Sequence, residues 1–157
     1  MTFDARKYRD ALGCFATGIT VVTSMKDGVE PLGITVNSFG SVSLDPPLVL
    51  FSLGHTGNHC QEFQDSGKFA INILSESQRH LCDRFASPLE DRFSGVSHLT
   101  GENGCPVFEG SLAVFECETY ATHEAGDHLI FICRVTNVTS DSSQSALLFH
   151  KGDFPIL

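Results

Sequence analysis

The sequence is short of positive charge. Ten lysines and arginines stand against nineteen aspartates and glutamates, for a net charge of −9. That balance argues against nucleic acid or an anionic membrane as partner, because both reward cations that displace counterions. It leaves room for a phosphate ligand, which local backbone N–H groups can hold. No apolar run approaches the roughly 18 residues that a membrane helix needs. The opening Met-Thr-Phe-Asp-Ala-Arg-Lys has no apolar signal core, so a cytoplasmic protein is expected. Six cysteines are present, Cys14, Cys60, Cys82, Cys105, Cys117 and Cys133, yet no Cys-x-x-Cys. A zinc ribbon or thioredoxin-type site therefore has no support, and free buried thiols are expected. Also missing are a nucleophile elbow, a P-loop, the Gly-x-Gly-x-x-Gly fingerprint, an internal repeat and a low-complexity linker.

What is present fits one domain over residues 1–157. Such a chain can bury about 68–70% of its unfolded surface without staples. Tyr8, Leu12 and Phe15 fall at helical spacing, and Asp4 suits the N-cap of a helix over 4–15. Residues 19–25 are rich in β-branched side chains, and Asp27-Gly28 marks a turn into a returning strand over 31–39. Strands are expected at 41–44, 48–53 (buried on both faces), 69–74 and 147–151. Short helices are expected at 56–64, capped by Thr56 or Asn58, and at 77–85. Residues 87–109 read as a long loop, uncommon unless functional. A hairpin pairs 112–123 with 127–138; with His123 facing Asp127, Glu116 faces Arg134 and Cys117 faces Cys133. Six or seven strands with few short helices predict a mainly β, antiparallel, Greek-key-like barrel.

Several residue groups suit chemistry. Thr35, Asn37, Ser38, Ser41 and Ser43 stand among apolar neighbours in "TVNSFGSVSLDPPLVLFSL". A solvent-facing strand would explain them; so would a planar ligand with polar edges, such as an isoalloxazine ring. After the next strand, Gly54 and Gly57 let the backbone approach a ligand, and the helix start that follows suits an anion. His55 and His59, with Cys60 adjacent, lack a third good ligand, so no metal is expected. In Asp91-Arg92-Phe93, Arg92 could clamp a phosphate and Phe93 could cover a ring, though a packed Phe in an ordinary loop fits equally. Gly126-Asp127-His128 gains interest only if its turn overhangs such a ligand.

These stretches together resemble a known family. "YRDALGCFATGITVVTS", "GITVNSFGSVSLDPPLVLFSL", "GKFAINIL", "DRFSGV", "GSLAVFECE" and "GDHLIFICRV" are similar, in order and spacing, to the flavin reductase-like group. More narrowly, they resemble the small reductase components of two-component flavin-dependent monooxygenases. The resemblance implies an FMN-binding split barrel and a homodimer holding FMN or FAD near the subunit interface. It implies reduction of that flavin by NADH or NADPH, and release of reduced flavin to a partner monooxygenase. By similarity, Thr35, Val36, Asn37, Ser38, Ser43, Ser52 and Leu53 contact the flavin, and Thr56 and Asn58 sit at its phosphate. Arg92 and Phe93 border the pocket, and His128 lies by the nicotinamide as the catalytic candidate. The loop Gly-His-Thr-Gly-Asn departs from many relatives, which carry Ser, Arg or Lys there, and Gly40 stands where Thr is common. Direct hydride transfer between stacked rings is the expected mechanism, which needs orientation rather than a strong acid or base. A non-catalytic flavin carrier of the same fold stays open as an alternative.

Overall fold

In the computed structural model, which describes residues 3–56 and 59–156, the chain forms a seven-stranded antiparallel sheet, two small ribbons and three helices. Helix α1 (Ala5–Gly13) starts where expected, with Asp4 accepting from the amide of Arg6 at 2.9 Å. A short strand β1 (Thr17–Gly18) leads into β2 (Thr20–Lys26) and β3 (Glu30–Val36). Asp27 and Gly28, both at positive φ, make the turn between them, the backbone that Asp-Gly tolerates best. Strands β4 (Gly40–Leu44) and β5 (Pro47–Gly54) form the next hairpin. Helix α2 (Cys60–Ser66) ends on Gly67 in the left-handed conformation, where a side chain would be strained. Its N-cap position is His59, with no side-chain cap, in place of the expected Thr56; Asn58 lies outside the described residues.

Strand β6 (Lys68–Ile73) precedes a 3-10 turn (Glu76–Gln78) and helix α3 (Arg79–Ala86). The expected long loop contains a ribbon of two short strands, β7 (Leu99–Thr100) and β8 (Pro106–Val107). Strands β9 (Ala113–Ala125) and β10 (His128–Ser140) are the long hairpin, and β11 (Leu148–Phe149) pairs with β1. The sheet order is β3-β2-β6-β9-β10-β5-β4, so the late hairpin inserts between β6 and β5.

Three expectations change. The hairpin register differs: its turn is Gly126-Asp127 between Ala125 and His128, and two irregularities interrupt the ladder. Glu118 therefore faces Arg134, Glu116 faces Asn137, and Cys117 faces Val135. Gly126 occupies the first turn position with φ 65°, as a type II′ hairpin requires. Second, β5 is buried on both faces only at its start: Val49, Phe51 and Leu53 are buried on one face, whereas on the other Leu48 is buried and Leu50 and Ser52 are half-buried. The strands covered on both faces are β2, buried from Thr20 to Ser24, and its neighbour β6, buried from Phe69 to Asn72; for β2 the barrel lies on one side and α3 on the other. Third, Cys14 is exposed, whereas the other five thiols are free and buried.

Two apolar cores follow from β2's double burial. One fills the barrel, with Phe51 stacked on Phe131 at 4.8 Å and Phe69 set edge-on to both. The other, including Val21, Leu81, Phe85 and Phe108, lies beneath α3. Two buried polar side chains tie the layers together: Asn72 donates to the carbonyls of Val21 and Ala70 and accepts from the amide of Phe108. Glu116 accepts from the amide of Asn103 at 2.7 Å and from the side chain of Asn137 at 3.0 Å. These bonds pin the stretch carrying β7 and β8 onto the sheet.

Candidate active cleft

The sheet has two loose edges, and they meet. β3 is the terminal strand on one side. β5 pairs with β4 only between Pro47 and Leu50, so among the described residues Phe51–Gly54 lacks a strand partner on that side. The end of β3 and this open half of β5 face one another across a cleft of about 190 Å³, lined by Ile34–Ser38, Ser52–Gly54 and His128. One side chain spans it: Ser38 Oγ accepts from the Ser52 amide at 3.0 Å and donates to the Ser52 carbonyl at 3.3 Å. Elsewhere the edges are not laddered to each other, so backbone donors and acceptors border the opening. Such a border can read the carbonyls and ring nitrogens of a flat heterocycle.

Seven of the expected site residues come together here: Thr35, Val36, Asn37, Ser38, Ser52, Leu53 and His128. Their functions are not equivalent. The Thr35 hydroxyl is committed to the Cys82 carbonyl of α3 at 2.7 Å, so the residue offers the cleft its backbone. Leu53 is buried. His128 pairs with Gly54 across the β5–β10 ladder and holds its Nδ1 2.6 Å from Asp127 Oδ1. That hydrogen bond keeps the exposed Asp127 carboxyl below its usual range. Asp127 is thus a partner that sequence reading missed, although it is adjacent in the chain. A second missed contact is His55 Nε2 with Glu124 Oε2 at 2.9 Å, beside a bond from the His55 amide to the Asp127 carbonyl at 3.1 Å. His59 goes instead to Glu62. Among the described residues, no group of three or more His, Cys, Asp or Glu is placed to hold a metal.

The other expected residues lie outside the cleft lining. Ser43 donates to the Pro46 carbonyl across the β4–β5 turn. Thr56 is exposed just past Gly54, and Asn58 is not described. Arg92 and Phe93 border a neighbouring cavity of about 520 Å³, together with His59, Leu32 and Gly33. Gly33, on this cavity, and Ile34, on the cleft, are consecutive on β3. Phe93 packs on Phe85 at 4.9 Å and on Phe108, the packed-ring alternative. Arg92 differs: Nη1 donates to the Gly33 carbonyl at 3.0 Å, while Nε is buried without a partner. Burial pushes its guanidinium pKa down. Glu30, Glu90 and Asp91 line the same cavity, yet among the described residues none forms an ion pair with Arg92. A partly desolvated cation lacking a counter-ion fits an anionic ligand. The larger cavity of about 840 Å³ between α1 and Phe149 shares Asn37 with the cleft, but it has no comparable pair of open edges.

A curled antiparallel sheet with an open seam and a polar-edged cleft defines a split-barrel domain. The chain belongs to the flavin reductase family: the family model described as "Flavin reductase like domain" matches residues 12–157. It is 45% identical over 149 residues to the reductase component of the flavin-dependent trigonelline monooxygenase of Acinetobacter baylyi, covering 95% of this chain and 48% of that protein. It is 44% identical to FMN reductase (NADH) SmoA of Agrobacterium fabrum, covering 96% and 85%. The solved structure of the Streptomyces globisporus NADH:FAD oxidoreductase SgcE6, in complex with NAD and FAD fragments, matches with TM-score 0.93. Identity there is 37%, over 98% of this chain and 93% of that one. The chain spans about half the length of the first curated relatives it matches.

Proposed function

We propose that the chain is a single NAD(P)H:flavin oxidoreductase domain that reduces FMN or FAD and supplies the reduced flavin to a partner monooxygenase. The observation that carries this reading is the seam between Thr35–Ser38 and Ser52–Gly54, where unpaired backbone and His128 border one cleft. The names of the relatives support the cofactors and the partner. When bound, the flavin supplies the hydride acceptor and the nicotinamide the donor. The chain's own task is orientation. Backbone groups of 35–38 and 52–54 would hold the polar edge of the ring, and Arg92 its phosphate. Asp127 fixes the His128 ring by its Nδ1, leaving Nε2 to orient the nicotinamide or balance charge on the reduced ring.

Two wider readings accompany this one. A homodimer would cover apolar side chains that the single chain leaves in solvent: Phe15, Leu12 and Leu44 are 78%, 57% and 96% exposed. A cytoplasmic setting suits five buried free thiols. No helix among the described residues is long and apolar enough to cross a membrane.

The test is anaerobic. Protein, FMN or FAD and NADH or NADPH are mixed, and the flavin's visible absorbance is followed; catalysed bleaching is expected, and a rate equal to the protein-free mixture rejects the enzyme. His128→Ala should slow reduction or raise the KM for the nicotinamide at least about tenfold, the loss of one charge-assisted contact, with oxidised flavin still bound. Unchanged kinetics in that variant remove His128 from the mechanism.

A further inference from the structure

Arg92 reaches Gly33 from a loop, and loops do not hold side chains still unaided. The loop is held by another arginine. Arg84, in the last turn of α3, sends Nε to the Arg92 carbonyl at 2.9 Å and Nη2 to the Ser94 carbonyl at 2.5 Å, with the Asp91 carbonyl 3.5 Å away. Asp91 completes the turn, its Oδ1 accepting from the amides of Phe93 and Ser94 at 3.1 and 2.9 Å. Asp91 therefore spends its carboxylate on backbone, and Arg84 spends its guanidinium on carbonyls. Neither neutralises Arg92. Arg84 is anchored in turn by α3, which packs against β3 through Phe85 beside Gly33.

We infer that Arg84 is a positioning residue: its fork grips the backbone on both sides of Arg92 so that the Arg92 guanidinium, resting on the Gly33 carbonyl and without an ion-pair partner among the described residues, stands at the cavity ready for the phosphate of a flavin nucleotide. The inference rests on the flavin reading above. The fork geometry matters, because a guanidinium can satisfy separated acceptors in one plane and an ammonium cannot. Preorganisation is the gain: a loop already ordered loses less entropy when the anion arrives.

The phosphate isolates the effect. Riboflavin carries the same ring and ribityl chain as FMN but no phosphate. Kd values for FMN and riboflavin are measured by flavin fluorescence on the full chain, its R92Q, R84Q and R84K variants, with thermal midpoints alongside. The unaltered protein should prefer FMN by roughly tenfold or more, the size of one charge-assisted hydrogen bond. R92Q should erase that preference. R84Q should cut it at least about threefold with the riboflavin Kd within about twofold, and R84K should fall between. Should R84Q not fold, R84K carries the same criterion. An FMN-to-riboflavin ratio unchanged by R84Q or R84K overturns the positioning role. So does equal weakening of both flavins, which is a merely structural effect. Equal affinity of the unaltered protein for the two flavins overturns the phosphate site, whereas binding of neither flavin overturns the flavin reading itself.

Discussion

Gly33 shows how much one missing methyl can carry. A Cβ there would lie 2.5 Å from Phe85 Cε1 and 3.1 Å from Phe93 Cε2, so the close seating of α3 on β3 depends on its absence. Both rings belong to the outer core and cannot swing away freely. Gly33→Ala should cost about 1–3 kcal/mol by overpacking, read as a lower urea midpoint at unchanged slope, and should displace the carbonyl that holds Arg92. The buried thiols make a second residue-scale case. Burial pushes Cys105 and Cys117 up to about 12 and raises Cys60, Cys82 and Cys133. The folded chain therefore keeps protons that the unfolded chain releases above the ordinary thiol value of 9.0, and stability must fall as pH rises past it. Thermal midpoints should decline progressively from about pH 9 upward. In native protein near pH 8 a thiol reagent should label Cys14 and leave the buried five untouched until denaturant is added.

At the scale of elements, the cleft exists because β5 outruns its partner. β4 stops pairing at Gly40↔Leu50, and from there β5 is joined toward β3 through Ser38 alone among the described residues' side-chain bonds. Ser38→Ala removes both bonds and leaves the Ser52 amide half-buried without its acceptor. A loss of about 1–3 kcal/mol is expected, together with weaker flavin binding. Retained stability and affinity in that variant would mean that water bridges the seam equally well. The same element-level view explains His128. The two-residue turn at Gly126-Asp127 ends β9 where β10 begins opposite Gly54, so the turn delivers the imidazole to the cleft mouth.

For the whole molecule, the apolar side chains of α1 are the open account. The spacing of Tyr8 and Leu12 on α1, with Phe15 just past its end, is that of a segment with something to bury, yet no residue of α1 is buried in the single chain and Phe15 is exposed. Association of two copies over this face and Leu44 gives the prediction. Sedimentation should find a dimer at micromolar concentration. A double variant, Phe15→Asp with Leu44→Asp, should sediment as a monomer with an unchanged far-ultraviolet spectrum. A monomeric parent protein would reject the dimer.

Local chemistry determined much of this protein from the sequence alone. Asp4 before a periodic apolar set, Asp27-Gly28 between two β-branched runs and Gly67 after a short helix each act within a few residues, so each is legible without coordinates. The polar series from Thr35 to Ser43 was legible for the same reason. Only the tertiary structure decided how those pieces meet. The turn closed at Gly126-Asp127, with Ala125 opposite His128, and this moved Glu116 from Arg134 to Asn137, because the position and length of a hairpin's turn set the register along both strands. Folding sent the Thr35 hydroxyl to α3 and the Ser43 hydroxyl to Pro46, while Ser38 was kept for the seam. It also placed Arg84 beneath Arg92, eight residues apart in the chain, a pairing made by a loop's return path and invisible to any periodicity.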